Sequence, residues 1–349
     1  MAAGTVAPVS APGPTRPGGS SRSVTGSVAE SVTGSVTGSA AGSVAESVPA
    51  TEVLCEQVWQ ARRDAHVLRV DAWLGPHLHR RGERRAHPVE DFLFTYYSHR
   101  PARLRRWHPG AGVVLAGDAA RAASAYGDNR DYIAVPAGMV VDPATLAARV
   151  DTIRWIRDLL AATRARPAFL GCFGLHEWAM VYRLSQEQVR HSTWPLRLGA
   201  EGTDQLVESH RIRCSHFDAY RFFTGPARPR NTLRPDRETQ RDLEQPGCLH
   251  ANMDLYKWAY KLSPHVRSEL VADCFELARE IRELDMRASP YDLSALGYRP
   301  VPIETPEGRS EYAAAQRGFA ERAGVLRDDL VRACDGLLAL AGPDPGQAC

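Results

Sequence analysis

Apolar residues recur at helical spacing over long stretches of the chain, and this pattern predicts most of the fold. One stretch follows Asp142-Pro143, a pair typical of a helix start, and its apolar positions are Leu146, Val150, Ile153, Ile156 and Leu160. A second stretch is a seam of Val266, Leu270, Cys274, Leu277, Ile281 and Leu284. A third follows Thr305-Pro306 and contains Tyr312, Phe319, Leu326 and Leu330. We expect a long helix in each stretch.

Residues 248–264, CLHANMDLYKWAYKLSP, carry a different pattern. If 251–262 is helical, one face collects ionisable groups at i, i+4, i+7 and i+11, namely His250, Asp254, Lys257 and Lys261. The other face carries Ala251, Leu255, Trp258, Ala259 and Leu262. This predicts a helix that is buried on one side and lined with ionisable groups on the other.

The remaining segments predict little sheet. VVLAG (113–117) reads as a short strand, VEDFLFTYY (89–97) as a buried helix that ends near Arg100-Pro101, and RIRCSHFDAYRFF (211–223) as either a strand or a helix. Strands alternating with helices at βαβ spacing are absent, as are glycine-rich phosphate-binding loops. The expected fold is therefore mainly α, a single helical domain with a minor β component.

A composition shift divides the chain. Residues 1–50 are rich in Ser, Gly, Thr and Val, with Ser at every fourth position from Ser23 to Ser47, which predicts a disordered tail. From Thr51 the sequence becomes aromatic, charged and periodic. We therefore expect a globular domain over 51–340 and a flexible C-terminus over 341–349.

Charge and cysteine usage narrow the functional classes. The 43 basic and 41 acidic residues give a formal net charge of +2, so no overall field attracts a nucleic acid or a membrane. The seven cysteines form no C-x-x-C pair, which argues against a disulfide framework or a zinc knuckle. With no signal-like segment and no apolar run of membrane length, we expect a cytoplasmic protein without a membrane partner.

Histidines lie near carboxylates at several positions between 170 and 265. The pairs are His176-Glu177, His216-x-Asp218 and His250-x-x-x-Asp254. Imidazole with carboxylate suits a divalent Fe, Mn or Zn ion, or equally a general acid–base pair. We take His176, Glu177 and His216 as candidate metal ligands, and His250 and Asp254 as candidate catalytic groups.

Only two of the 43 basic residues are lysines, and both lie in the ionisable stripe. We expect Lys257 and Lys261 to line the rim of a pocket and hold an anionic group. A neutral Lys257 that attacks a carbonyl-like carbon is the catalytic alternative. A third interpretation is that both amines lie on a solvated helix face.

The segment 283–308 places polar residues just after a predicted helix, where active-site residues often lie. Asp285 and Asp292 are its foremost candidates, with Arg287 and Tyr291 as candidate substrate contacts. The structural alternative is a connector held by prolines.

Four motifs carry a resemblance to a known family: HANMDLYKWAYKLSP, LDMRASPYDLSALGYRPVPIETPEGRSEY, GLHEWAMVYR and SHFDAYRFFT. They resemble actinobacterial proteins labelled 3-methyladenine DNA glycosylase, over roughly residues 85–340. The resemblance implies a base-excision hydrolase of alkylated purines with damaged DNA as its partner. It implies stacking of an extruded base on Trp178, Tyr182, Tyr220 and Trp258, and a catalytic carboxylate from Asp218, Asp254 or Asp292. The basic segments 77–87 and 103–110 would contact phosphates. The L-P-G-[VI]-G hairpin of helix–hairpin–helix glycosylases is absent.

Three functional hypotheses follow. The first is the DNA base-excision hydrolase. The second is a metal-dependent enzyme that acts on a small molecule through the histidines and carboxylates. The third is a non-catalytic helical binding protein.

Overall fold

The computed structural model describes residues 52–342 of the 349-residue chain, so the expected N-terminal tail and most of the expected C-terminal one lie outside the described residues. Within 52–342 the α-helices are α1 (Glu56–Gly82), α2 (Phe92–Tyr96), α3 (Pro101–Arg105), α4 (Asp118–Ala122), α5 (Pro143–Ala147), α6 (Val150–Ala165), α7 (Leu175–Ala179), α8 (Gly199–Ser209), α9 (Phe217–Tyr220), α10 (Gln240–Leu243), α11 (Leu249–Leu262), α12 (Ser268–Arg287) and α13 (Pro306–Leu340). The strands are β1 (Glu52–Leu54), β2 (Val113–Ala116), β3 (Tyr132–Val135) and β4 (Gly138–Val141). Short 3₁₀ turns occur at Arg228–Arg230 and Ser294–Leu296.

The prediction of a mainly α fold with a small sheet is confirmed. Thr305 begins α13 as expected, because its Oγ1 accepts a hydrogen bond from Gly308 N at 3.0 Å. Asp142 does the same for α5, accepting from Ala144 N at 2.9 Å. The prediction of one long helix after Asp142 is wrong in one respect, because the helix is interrupted between Ala147 and Val150 and forms two helices, α5 and α6. None of the described helices is long and apolar enough to cross a membrane.

The first helix is the largest element that the periodicity did not predict. Its buried face consists of Trp59, His66, Val70, Leu74 and His77. Two of these positions are histidines, so the apolar seam is interrupted in the sequence although the face is continuous in the fold.

The four strands form one sheet in the order β1-β2-β4-β3. β1 runs parallel to β2, while β2 with β4 and β3 with β4 are antiparallel. The strands approach closely at Gly138, where a β-carbon would lie 1.8 Å from the carbonyl oxygen of Leu115. This explains glycine at the first position of β4.

α11 lies in the helical core, in contact with both α12 and α13. Its apolar face is buried as expected, but its ionisable face is mostly buried as well. Only Lys257, Tyr260 and Lys261 of Leu249–Leu262 are not buried. Of the four ionisable residues in the stripe, His250 and Asp254 are buried, Lys257 is half-buried and Lys261 is exposed.

Candidate metal centre

A constrained turn places His176 and Glu177 at the start of α7. The two residues before the helix, Phe173 and Gly174, have left-handed backbone angles with φ of 46° and 71°. A β-carbon on Gly174 would lie 3.5 Å from Ala288 Cβ, so the turn packs closely against the end of α12. Left-handed backbone is unfavourable for phenylalanine and persists only where surrounding contacts hold it.

α11 and α12 bring two further ligand-type side chains to the same place. His250 comes from the first turn of α11 and Asp285 from the last turns of α12. One ligand-type atom from each of His176, Glu177, His250 and Asp285 lies within 4.8 Å of the other three, and all four residues are buried. We call these residues the four-residue cluster.

Hydrogen bonds hold three of the four side chains. His176 Nε2 donates to Asp285 Oδ1 at 2.8 Å. Arg282 Nη1 donates to Asp285 Oδ2 at 3.0 Å and to Glu177 Oε1 at 3.1 Å. On the other side of its ring, His176 Nδ1 lies 3.6 Å from Cys172 Sγ. Outer contacts of this kind orient the ligands of metal sites.

His250 differs because it has no hydrogen bond. Its ring lies edge-on against that of His176, with centroids 4.4 Å apart, and 5.4 Å from the ring of His216. Only 8% of His250 is exposed, and no other residue of 52–342 bonds to its ring nitrogens. Both nitrogens therefore remain available to a ligand from outside the chain.

The charges of the cluster balance only when His176 carries a proton. Burial lowers the pKa of His176, but the Asp285 carboxylate outweighs burial and raises this pKa well above 6.5. Burial raises the pKa of Asp285, but His176 and Arg282 outweigh it and hold this pKa below its usual range. Burial and Asp285 both raise the pKa of Glu177. Two carboxylates are thus balanced by Arg282 and a proton on His176.

The pKa of His250 is lowered, in contrast to that of His176. Burial and the neighbouring His176 lower it well below 6.5, so His250 is a neutral imidazole. Neutral imidazole is the form that binds metal ions.

The distances suit a single ion. Nitrogen and oxygen ligands lie about 2.0–2.2 Å from Zn²⁺, so neighbouring ligands on such an ion are about 3 Å apart and opposite ones about 4 Å apart. The 2.8 Å between His176 Nε2 and Asp285 Oδ1 is close to the first value. The 4.8 Å span of the whole set exceeds the second only slightly.

A cavity of about 140 Å³ opens onto the cluster. Its buried end is formed by Glu177, His250 and Arg282, and its exposed residues are Arg190 and Phe222. The rest of the lining is Phe92, Tyr96, Met180, Val181, His191, Asp218 and Tyr291. A small molecule that enters the cavity therefore reaches two of the four ligand-type side chains.

A second set of ionisable groups lies next to the first and contains Lys257. Lys257 Nζ donates to Asp218 Oδ2 at 2.8 Å and to Asp254 Oδ2 at 3.0 Å. The Tyr97 hydroxyl donates to Asp254 Oδ1 at 2.7 Å, and His216 Nε2 lies 3.4 Å from Asp254 Oδ2. We call Asp218, Asp254, Lys257 and His216 the lysine cluster.

This arrangement corrects both expectations for Lys257. Burial lowers its pKa, but Asp254 and Asp218 outweigh burial and raise the pKa above the ordinary value, so the amine stays charged and is a poor nucleophile. The ammonium group binds carboxylates of the protein itself and is not part of the cavity lining.

The metal set expected from the sequence also needs correction. His176 and Glu177 belong to the four-residue cluster, whereas His216 lies in the lysine cluster with Glu244 Oε1 3.5 Å from its Nε2. Burial lowers the pKa of His216, but Asp254 and Glu244 raise it further than burial lowers it. The other two members of the cluster are His250 and Asp285, and His216 is not a member.

Two of the four aromatic residues expected to stack on a base are fixed in the core instead. Trp178 is fully buried, and its Nε1 donates to Ala288 O at 2.9 Å. The Tyr182 hydroxyl donates to Glu208 Oε1 at 2.6 Å. Neither ring lines the cavity.

The other two aromatic residues and the second lysine also lie outside the cavity lining. Tyr220 packs on Phe223, with ring centroids 5.2 Å apart. Trp258 is buried, and the exposed Lys261 places its Nζ 5.4 Å from the Trp258 ring. The position of Lys261 thus agrees with the third interpretation, in which its amine lies on a solvated helix face.

The segment after α12 contributes one residue to the cavity. Tyr291 lines it, as expected for a substrate contact. Asp292 does not, because its Oδ1 accepts from Ser294 N at 2.9 Å within a turn. Arg287 donates to Arg299 O at 2.9 Å and braces the connector.

Arg282 and the cavity residues Phe92, Tyr96 and Arg190 were not expected at the site. A signal existed for Arg282, because it lies three residues before Asp285, beside the apolar seam of α12, at a spacing that pairs charges on a helix. The others come from loops and short helices whose packing has no periodic signature.

Comparisons with protein-family models, with curated proteins and with solved structures find no match for this chain. The geometry of the four-residue cluster and its cavity is therefore the basis for a functional assignment.

Proposed function

We propose that the protein is a metal-dependent enzyme that acts on a small molecule. A divalent ion would be held by His176, Glu177, His250 and Asp285. The observation that carries this proposal is the convergence of two imidazoles and two carboxylates within 4.8 Å at the buried end of an open cavity.

The unpaired imidazole of His250 supports a ligand from outside the chain. Its ring nitrogens have no hydrogen-bond partner within 52–342, and the ring lines the cavity. A metal ion would satisfy His250 and would replace the proton on His176 as the positive charge between the two carboxylates. The ion thus accounts for both features at once.

The number of protein ligands favours a six-coordinate ion. Four protein ligands around tetrahedral zinc make a closed, structural site, whereas a catalytic ion keeps a position for water or substrate. Ferrous or manganous ions accept mixed imidazole and carboxylate ligands and six positions, which leaves two for exchange. Since Glu177 and His250 line the cavity, those positions would face it.

Such an ion would polarise a substrate oxygen or lower the pKa of a bound water. The protein contributes the rest. Arg282 orients the carboxylates of Glu177 and Asp285, and the apolar side chains Phe92 and Met180 limit water in the cavity. A dry site strengthens each of these electrostatic contacts.

Elemental analysis of the purified protein tests the proposal. We expect close to one Fe or Mn ion per chain, lost in His250→Ala and retained in His216→Ala. These matched variants remove buried histidines whose rings are 5.4 Å apart, so a general effect on folding would affect both.

Spectra of the protein loaded with Co²⁺ would separate a catalytic from a structural ion. Addition of azide should change the visible absorption, because azide needs an exchangeable position. Full occupancy with no azide response would contradict the enzyme proposal. Absence of any metal would favour the helical binding protein.

The glycosylase activity implied by the family resemblance is a second candidate, favoured by the aromatic side chains Phe92, Tyr96 and Phe222 and the carboxylate of Asp218 in one cavity. Against it, Asp218 is already ion-paired with Lys257. Release of base from methylated duplex DNA by metal-free protein, with salt-dependent DNA binding, would establish it.

Two arginines of the basic segments expected to contact phosphates already form ion pairs within the protein. Arg80 pairs with Glu90 and Asp91, and Arg105 pairs with Asp71. These ion pairs reduce the positive charge available for DNA.

A further inference from the structure

The size of the cavity limits the substrate. An apolar cavity of about 150 Å³ in another protein binds benzene, and the cavity here measures about 140 Å³. Its apolar lining includes Phe92, Tyr96, Met180 and Phe222, and the rings of Phe92 and Tyr96 are stacked with centroids 4.9 Å apart. These surfaces suit a flat, apolar body about the size of one ring.

The charges along the lining are paired, with one exception. Glu177 pairs with Arg282 at 3.1 Å. Asp218 pairs with Lys257 at 2.8 Å and with Arg221 at 3.1 Å. None of these groups needs a charged ligand.

Arg190 is the exception. It is exposed, it lines the cavity, and no carboxylate among the described residues forms an ion pair with it. Its neighbours in the lining, His191 and Tyr291, carry no carboxylate and pack edge to face against each other, with ring centroids 5.2 Å apart. An unpaired guanidinium at a cavity is suited to bind a carboxylate or phosphate.

The loop that carries Arg190 is held in place. Arg197 N donates to Pro290 O at 2.8 Å, and Asp292 N donates to Pro195 O at 2.8 Å. The Arg197 side chain also pairs with Glu304 at 2.7 Å. The loop is thus tied to the segment after α12, which also supplies Tyr291 to the cavity.

We propose that the substrate is a small anion with a flat apolar body, whose carboxylate or phosphate group is bound by Arg190 while its reacting group faces His250 and Glu177. The position of the reacting group rests on the proposed function, whereas the binding of the anionic group by Arg190 rests on the cavity alone. Arg190 is then a specificity-determining residue.

Calorimetric titration with benzoate, and with benzamide as its neutral counterpart, tests the proposal. Both the Mn²⁺-loaded and the metal-free protein are titrated. We expect benzoate to bind at least about tenfold more tightly than benzamide, since a charge-assisted hydrogen bond contributes about 1.5–3 kcal/mol. Arg190→Gln should abolish that preference and Arg190→Lys should retain part of it.

Arg183→Gln is the matched control, because Arg183 is also exposed but is paired with Glu208, and it should leave benzoate binding unchanged. Equal binding of the two probes, no benzoate binding in either form, or an unchanged preference in Arg190→Gln would overturn the inference. Metal content, measured on the same samples, is a separate readout. Bound metal without benzoate binding refutes only the anion, and benzoate binding without bound metal refutes only the metal.

Discussion

The four-residue cluster and the lysine cluster each combine histidine with two carboxylates, and they lie next to each other. They differ in their permanent positive charge. In the lysine cluster, Lys257 contacts both Asp218 and Asp254, and Arg221 adds a second cation at Asp218. In the four-residue cluster, Arg282 alone faces two carboxylates.

The difference shows why imidazole and carboxylate side chains in contact are not by themselves a metal site. Where lysine or arginine already balances the carboxylates, a metal ion would add uncompensated charge. Where two carboxylates are balanced by one arginine and a proton on an imidazole, a metal ion can take the place of that proton. Three predictions test this contrast.

The largest effect is expected on stability in Lys257→Met. Removing one partner of a buried ion pair costs about 3–5 kcal/mol, because Asp254 is left buried with too little positive charge. Urea unfolding of the metal-free protein measures the loss. Metal affinity should stay within a few-fold, since Lys257 does not contact the four-residue cluster.

Lys261→Met is the natural control, as it removes the only other lysine. Lys261 is exposed and contacts the Trp258 ring, so we expect a loss below about 1 kcal/mol. Equal losses in the two variants would mean that the lysine cluster contributes little to stability.

The next largest effect is expected on metal affinity. Asp285→Asn removes the carboxylate shared by His176 and Arg282 and should weaken metal binding by about a hundredfold or more. Asp254→Asn, the equivalent change in the lysine cluster, should leave it nearly unaltered. Competition with a chelator measures both. A similar loss in the two variants would remove the distinction between the clusters.

Counted per residue, the smallest effect is expected at buried histidines that have no hydrogen-bonded carboxylate. Burial lowers the pKa of His99 and His265 to about 4 and that of His108 to about 3. The unfolded chain therefore binds protons more tightly at these residues. The free energy of unfolding is at its full value above pH 6.5 and decreases as the pH falls toward about 4, by up to about 1.4 kcal/mol per pH unit and histidine.

Urea unfolding of the metal-free protein at several pH values from about 7 to about 5 checks this slope. His108→Gln should make it shallower, because one titrating group is gone while a polar partner for the Tyr132 hydroxyl remains. An unchanged slope would contradict the assignment. His176 contributes with the opposite sign, since Asp285 raises its pKa and its contribution is lost as the pH rises through that value.

Much of the fold could be predicted from local pattern. Proline after a capping side chain located the starts of α5 and α13, and the apolar seam located α12. α1 was missed because His66 and His77 occupy its buried face. The hairpin of β3 and β4 was missed because strands of four residues carry too few alternating positions for a pattern, and β2, which has the same length, was recognised only as an apolar run.

The site was only partly predictable. His250 and Asp254 are four residues apart and were expected on one helix face. They do share it, yet His250 meets α7 and α12 while Asp254 meets Tyr97 and His216. Spacing along a helix determines which face a side chain occupies, but not which neighbouring element covers that turn of the helix.

The sequence by itself determined the helical architecture, the residue types available for metal binding and the helix that would carry several of them, because these depend on interactions between residues a few positions apart. The tertiary structure decided that His176 pairs with Asp285 and not with Glu177, that His216 is excluded from the set, and that the carboxylates of Asp218 and Asp254 are already bound by Lys257. The physical reason is that charge balance in a buried site depends on every group within a few ångströms, and those groups come from segments up to 157 residues apart in the chain.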